Sequence, residues 1–216
     1  MENNAENPSL SITYYAFNQN YDELNQLLAA FSKPEIGLEI ARVGNERKLD
    51  AFLIEVTRRL HNYLGSAKSL VEHTRVLVKE LYSGTAFYKE YVDEKDRTFK
   101  NSPLHHFVQD LRNYNVHRGL SQTAAVTSFG RDIGLDTSIK LPRRSLQNWD
   151  GWSSHARAYL KMSKGDVKLQ EVVASYTAEV RTFYEWLGRK QEEVHEEEFR
   201  ELKSSKQSIE SSSLET

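Results

Sequence analysis

The chain has 216 residues, of which 38% are hydrophobic and 28% charged, with 9 Phe, 11 Tyr and 3 Trp. This length and composition suit one folded domain with polar ends, and they exclude a wholly disordered chain. There is no cysteine, which excludes disulfides, thiol nucleophiles and every zinc site built on cysteine.

Signals for export or membrane insertion are not found in the sequence. The first residues, 1–4, carry no basic stretch, and no apolar stretch follows them. No segment approaches the roughly 18 apolar residues that a membrane span needs. We therefore expect a cytoplasmic protein without a membrane partner.

The first half of the chain is predicted to be helical. Residues 1–12 are polar and aperiodic and predict a mobile lead-in, and short helices are expected from Asp22 to Phe31 and from Pro34 onward. The clearest helix begins after Asn45 as N-cap and ends at Ser83-Gly84, a length of about 55 Å. A helix of this length needs partners along all of it, which predicts a bundle.

The second half mixes helices with a short strand pair. A helix is predicted from Ala86 to Phe99, and Ser102 and Pro103 are typical of the N-cap and first residue of the next one. Strand-forming residues separated by glycine and aspartate predict a β-hairpin over about residues 124–141. Helical patterns return from Asn148 to Met162 and, after a cap at Asp166, continue through Leu187.

The expected fold class is mainly α, a helical bundle with one long central helix and a small β-hairpin insertion. Residues 13–190 are predicted to form the single domain, and residues 191–216 an acidic and then serine-rich tail that is partly disordered. Net charge is −2 overall, yet residues 103–165 carry nine basic and four acidic side chains, a local net of +5. This basic middle could bind an anion, although ordinary solvated faces have the same composition.

One segment carries residues suited to chemistry on RNA. In a helix, Asn113 and His117 share a face with Asp110, whereas Arg112 lies about 140° around the axis from His117 and would reach it by its length. A histidine can transfer protons near neutral pH, an arginine can stabilise charge on phosphoryl oxygens, and an amide can orient either. Attack by a 2′-hydroxyl on the adjacent phosphorus needs these groups and no metal.

Residues 112–117 read Arg-Asn-Tyr-Asn-Val-His and resemble the Arg-x4–6-His motif of the HEPN superfamily of helical-bundle RNases. In that family Asn, Asp or His often follows the arginine directly. The resemblance covers roughly residues 45–118 and leaves the hairpin and the last two helices outside a minimal HEPN core. The run 107–117 is also similar to a stretch that recurs in uncharacterised bacterial proteins of this size, a likeness that implies no chemistry.

The HEPN resemblance implies a HEPN-like bundle in which Arg112 and His117 are catalytic and Asn113 supports them, with Asp110 and Arg118 beside them. It further implies a homodimer with both motifs at the interface, no metal or other cofactor, and 2′,3′-cyclic phosphate products. Many HEPN proteins are toxins, antiphage factors or RNA-processing nucleases, so a cognate regulatory protein is a possible further partner besides RNA.

Four cations on or after the hairpin are candidates for holding RNA phosphates: Arg131, Lys140, Arg143 and Arg144. A plain solvated loop would contain the same residues. The same ambiguity applies to the motif, since Asp110 and Arg112 could form a structural ion pair while Asn113 and His117 satisfy buried polar groups. The protein would then be a non-catalytic helical interaction module.

Two further patterns are weaker. The spacing of Arg189 and His195 also matches the short motif, but no suitable polar residue follows that arginine, and we interpret the match as chance. The spacing of His106 and Asp110 could hold a metal, yet a third ligand would have to come from another helix face. We therefore expect no metal site.

Overall fold

The computed structural model describes residues 8–118, 124–130 and 134–196, and side chains over residues 10–115 and 137–196. Helices dominate these ranges, and a small antiparallel sheet completes them, which confirms the predicted mainly α class. In chain order the elements are α1 (Pro8–Phe31), α2 (Pro34–Ala41), α3 (Glu46–Tyr82), α4 (Ala86–Lys95), a π-helical segment (Asp96–Lys100), α5 (Pro103–Arg118), β1 (Ala124–Gly130), β2 (Gly134–Leu141), α6 (Arg143–Gln147), α7 (Ser154–Met162), β3 (Val167–Lys168) and α8 (Leu169–Val194).

The long helix α3 is the centre of the bundle, and its 37 residues match the predicted extent. Helix α1 packs along it, and α8 packs against α1, α4 and α5. The buried hydroxyl of Tyr63 in α3 lies 2.8 Å from that of Thr177 in α8 and donates to the Val173 carbonyl at 3.2 Å. Burial raises the pKa of Tyr63 well above its usual value, so this buried phenol remains neutral.

Helices α5 and α7 meet through a layer of aromatic rings. Phe107 stacks on Trp152 and on Tyr159 with ring centroids 5.3 and 4.6 Å apart, and Tyr114 stacks on Trp152 at 5.6 Å. The indole N–H of Trp152 donates to the Leu146 carbonyl at 2.6 Å, which satisfies the polar atom of this buried ring. The inner face of α5 is thereby held in one position.

The predicted hairpin is confirmed, with β1 and β2 paired antiparallel from Ala124↔Lys140 to Gly130↔Gly134. The two residues of β3 add a third strand beside β2, too short a segment for a strand pattern to be recognised in sequence. The hairpin docks on the bundle where the Thr137 hydroxyl donates to the Phe31 carbonyl at 2.8 Å. Gly37 lies at this contact, where a Cβ would approach that carbonyl oxygen to 2.5 Å.

The N-terminal helix is longer than predicted, since α1 begins at Pro8 and not at Asp22. Contacts between aromatic rings hold its early turns, although most of the residues around these rings in the sequence are polar. Tyr14 stacks on Tyr184 at 5.0 Å, and Phe17 contacts Tyr63 at 5.5 Å. The predicted mobile lead-in over residues 1–12 is therefore wrong for residues 8–12, which are helical. Residues 1–7 lie outside the described part.

Later helix boundaries also differ from prediction. The helix expected from Asn148 begins only at Ser154, because the Ser153 hydroxyl caps it by accepting from the backbone N–H of Ala156 at 3.3 Å. Asp166 does not cap α8, because its carboxylate accepts instead from the backbone N–H of Arg143 at 3.0 Å.

The last residues of the predicted helix 86–99 belong to the π-helical segment. At the other end of the domain, α8 runs to Val194, and residues 197–216 of the predicted tail lie outside the described ranges. Within the described ranges, no helix combines the length and apolar content that crossing a membrane requires.

Candidate functional site

The motif lies on α5, whose start is the one predicted. Ser102 is the N-cap, since its hydroxyl accepts from the backbone N–H of His105 at 3.1 Å, and Pro103 is the first helical residue. The helix continues through the backbone of His117 and Arg118. The side chains of these two residues lie outside the described part, so the predicted convergence of Arg112 and His117 stays a prediction.

Asp110 has a structural contact. Its carboxylate accepts a hydrogen bond from the backbone N–H of Ser153 at 2.8 Å, just before the first turn of α7. Negative charge is favourable at that end because the N–H groups of the first helical turn are unpaired. The ion pair considered between Asp110 and Arg112 is not among those that the described residues form.

Arg112 is half-buried, and Asn113 beside it is exposed. The Nη1 group of Arg112 donates to the Oδ1 atom of Asn113 at 3.4 Å, a long and weak hydrogen bond. In the described part of the chain Arg112 has no carboxylate partner, since Asp110, the acid of its own helix, lies two positions earlier on a different face and contacts Ser153. Its guanidinium therefore keeps a positive charge that an anion could neutralise.

Asn115, inside the motif, is a buried polar residue that the sequence reasoning did not single out. Its side chain is 8% exposed, and its amide donates to Nδ1 of His61 in α3 at 3.4 Å. The sequence signal that could have indicated this contact is the pair of polar residues His61 and Asn62 within the apolar pattern of α3. The contact links the C-terminal half of α5 to the central helix.

The four candidate RNA-binding cations do not have equal surroundings. Arg143 is half-buried, and its Nη1 donates to the Ser163 carbonyl at 2.8 Å. Lys140 in β2 is also half-buried, whereas Arg144 in α6 is exposed. Arg131 lies outside the described residues. Among the described three, Arg144 is thus the cation most open to solvent.

The weaker candidates have structural contacts. His195, from the second match to the motif spacing, has its Nε2 atom 3.0 Å from the Tyr82 hydroxyl. His106 has its Nε2 atom 2.9 Å from the Lys100 carbonyl, so neither it nor Asp110 is arranged for a shared metal. No group of three or more His, Asp or Glu in the described ranges is placed to hold a metal ion.

No family model matches the chain. No curated protein and no solved structure matches it either. The function of the site must therefore be argued from its own geometry.

Arg112 is a cation on a rigid helix. Helix α5 is fixed by its buried residues Phe107, Leu111 and Tyr114 on one side, while Arg112 and Asn113 lie on the more open side. A guanidinium is planar and always charged, and its donors match two oxygens of a phosphate. Because the backbone beneath it is held by packing, the position of this cation is set before any ligand binds.

Proposed function

We propose that the chain is a metal-independent endoribonuclease of the HEPN type, acting as a homodimer. The observation that carries the proposal is the state of Arg112, which is half-buried on a rigid helix and has no carboxylate partner among the described residues. Asp110, two residues earlier on α5 and about 200° around the helix axis, does not face Arg112. Asp110 binds the backbone of Ser153 instead, and Arg112 remains available for an anionic substrate.

In the proposed reaction, His117 removes the proton of a ribose 2′-hydroxyl, whose oxygen then attacks the adjacent phosphorus. The bond from the 2′ oxygen to phosphorus forms as the bond from phosphorus to the 5′ oxygen breaks, and the departing oxygen takes a proton from solvent. Arg112 stabilises the charge that grows on the phosphoryl oxygens, and Asn113 orients its guanidinium. The products are a 2′,3′-cyclic phosphate and a 5′-hydroxyl.

The homodimer would bring two copies of the motif together, so that Arg112 and His117 need not converge within one protomer. Of the candidate cations whose side chains are described, we propose that exposed Arg144 holds a further phosphate of the RNA. A sedimentation measurement tests the assembly, with an expected mass twice the 25.0 kDa of one chain. A purely monomeric protein that cleaves RNA would refute the dimer and retain the nuclease.

The nuclease is tested by incubating the full chain with mixed single-stranded RNAs in excess EDTA. We expect wild type to cleave them and to leave 2′,3′-cyclic ends, whereas His117→Ala should lose at least about 100-fold in rate. His73→Ala is the matched control, because His73 is an exposed histidine of α3 away from the motif. An RNA with 2′-deoxy sugars throughout should resist cleavage, since the attacking hydroxyl is missing.

Cleavage that survives His117→Ala, or that continues on 2′-deoxy substrate, would refute the mechanism. Absence of cleavage by folded wild type would favour the non-catalytic interaction module, which predicts a stable complex with a cognate protein. If the nuclease is found, a toxin or phage-defence role is the setting we propose, with that cognate protein as its regulator.

A further inference from the structure

A cavity of about 260 Å³ lies away from the motif, between α3, α4, α8 and the start of α5. The π-helical segment forms one side of it through Asp96, Phe99 and Lys100. A π-helical turn carries one more residue than an α-helical turn, and such turns recur at functional sites. The cavity is therefore bordered by the least regular backbone of the described helices.

Most of the cavity wall is apolar and aromatic. Leu70, Phe99, Tyr176, Val180 and Phe183 line it, and the rings of Phe99 and Phe183 meet edge to face at 5.1 Å. An apolar cavity of roughly 150 Å³ accommodates a benzene ring, so this one can take roughly ten to twelve non-hydrogen atoms. Its size and lining suit a small ligand with an aryl or alkyl body.

His105 is a polar residue within this largely apolar wall, together with Thr74 and Tyr184. Its ring centroid lies 4.8 and 5.8 Å from those of Phe99 and Tyr176, and its buried Nδ1 atom has no hydrogen-bond partner among the residues that the structure describes. Burial is the main cause that lowers the pKa of His105 to about 4, with smaller contributions from His106 and Lys68. The ring is thus neutral at pH 7 and retains unused hydrogen-bonding capacity.

Cations outnumber carboxylates at the rim. The Asp96 carboxylate is shared by Lys95 and Lys100, each 2.9 Å away. On the α3 side, Arg75 lines the cavity and shares the Glu72 carboxylate with Lys68, at 2.6 and 2.8 Å. Among the lining residues, three cations (Arg75, Lys95 and Lys100) thus accompany one carboxylate (Asp96). Lys68 and Glu72 beyond the lining add one charge of each sign, which leaves an excess of positive charge where the apolar wall ends.

We propose that this cavity is a binding site for a small amphipathic carboxylate. The aryl or alkyl body fills the space between Leu70, Phe99 and Phe183, and the carboxylate lies at the rim beside Lys95 and Arg75. The proposal rests on the cavity and its charges and is independent of the proposed RNA cleavage. Binding and cleavage are measured separately, so either can fail without the other.

The test is a calorimetric titration of the full chain at pH 7.5 with 4-phenylbutyrate, which has an aryl body and one carboxylate. The neutral 4-phenylbutan-1-ol and the cationic 4-phenylbutylamine are matched probes of the same body. We expect saturable binding of the carboxylate, with the alcohol roughly fivefold weaker and the amine weaker still, because only the carboxylate complements the rim.

Two kinds of variant locate the ligand. Val71→Phe, at a half-buried position of the lining, should weaken all binding at least about tenfold by occupying the cavity. Ala67→Leu provides a second filling variant, and thermal melts show which of the two folds. Lys95→Gln should weaken the carboxylate roughly fivefold and leave the alcohol unchanged. Lys89→Gln, at an exposed lysine of α4, is its control.

Three results would overturn the proposal. The first is the absence of saturable 4-phenylbutyrate binding by the folded chain, and the second is an amine that binds as tightly as the carboxylate. The third is unchanged affinity in a folded cavity-filling variant, which would place the ligand elsewhere.

Discussion

The carboxylate of Asp110 accepts a hydrogen bond from the backbone N–H of Ser153 at 2.8 Å. This contact joins the middle of α5 to the start of α7. Asp110 and Arg112, two positions apart on α5, therefore have different surroundings. Asp110 stabilises the junction of the helices, whereas Arg112 is left without an acidic partner among the described residues.

Asp110→Ala should destabilise the fold. The Ser153 N–H would lose its acceptor and α7 a favourable charge at its start, so we expect the free energy of unfolding to fall by about 1–2 kcal/mol. Urea denaturation measures it, with Asp93→Ala at an exposed site of α4 as the control. If Asp110→Ala abolished RNA cleavage at unchanged stability, the structural assignment would be wrong.

Two glycines should respond to alanine with opposite signs. At Gly37 a Cβ would lie 2.5 Å from the Phe31 carbonyl oxygen and 2.6 Å from the Thr137 Cβ, so Gly37→Ala should cost about 1–3 kcal/mol of stability. At Gly65, within α3, nothing lies within 4 Å of an added Cβ. Gly65→Ala should therefore stabilise the protein by up to about 1 kcal/mol.

The thermal midpoints of both glycine variants, compared with wild type, check this pair of predictions. Equal shifts in the two variants would mean that helix propensity alone decides the outcome. The close docking of the hairpin on α2 would then contribute nothing measurable.

The buried His105 should make stability fall in mild acid. Its pKa in the folded protein is about 4, below the usual 6.5, mainly because of burial. The unfolded chain therefore binds the proton first as pH falls, and the stability present above about pH 6.5 is lost toward pH 4. Of the nearby charges, Lys68 and His106 act in the same direction and Asp110 opposes them.

His105→Phe should flatten this dependence. Urea midpoints at pH 4.5 and pH 7 should differ less in the variant than in wild type, whereas exposed His73→Phe should keep the wild-type difference. If His105→Phe kept the full wild-type difference between its urea midpoints at the two pH values, groups other than His105 would cause the acid sensitivity.

Several features of the fold could be predicted because their signals are local. The extent of α3 followed from its apolar periodicity, the start of α5 from Ser102 and Pro103, and the hairpin from strand residues around glycines. The first turns of α1 could not be predicted, because polar residues surround the aromatic rings that hold them.

The candidate site was less predictable, because its contacts join residues that are distant in sequence. The sequence around Asp110 does not indicate a hydrogen bond to Ser153, forty-three positions away. The sequence around Asn115 likewise does not indicate its hydrogen bond to His61. An ion pair with Arg112 was the alternative that the sequence left open, and the described residues do not form it. The cavity around His105 also depends on residues of α1, α3, α4, α5 and α8 at once, so no single stretch of sequence contains its signal.

The most direct measurement of the proposed function is the initial rate of RNA cleavage in excess EDTA by Arg112→Ala, relative to Arg47→Ala at matched folded concentration. Arg47 is an exposed arginine at the start of α3 and controls for the loss of one positive charge. We predict at least about a 100-fold lower rate for Arg112→Ala, because a cation aimed at the phosphoryl oxygens is removed. Equal rates in the two variants would contradict the central claim.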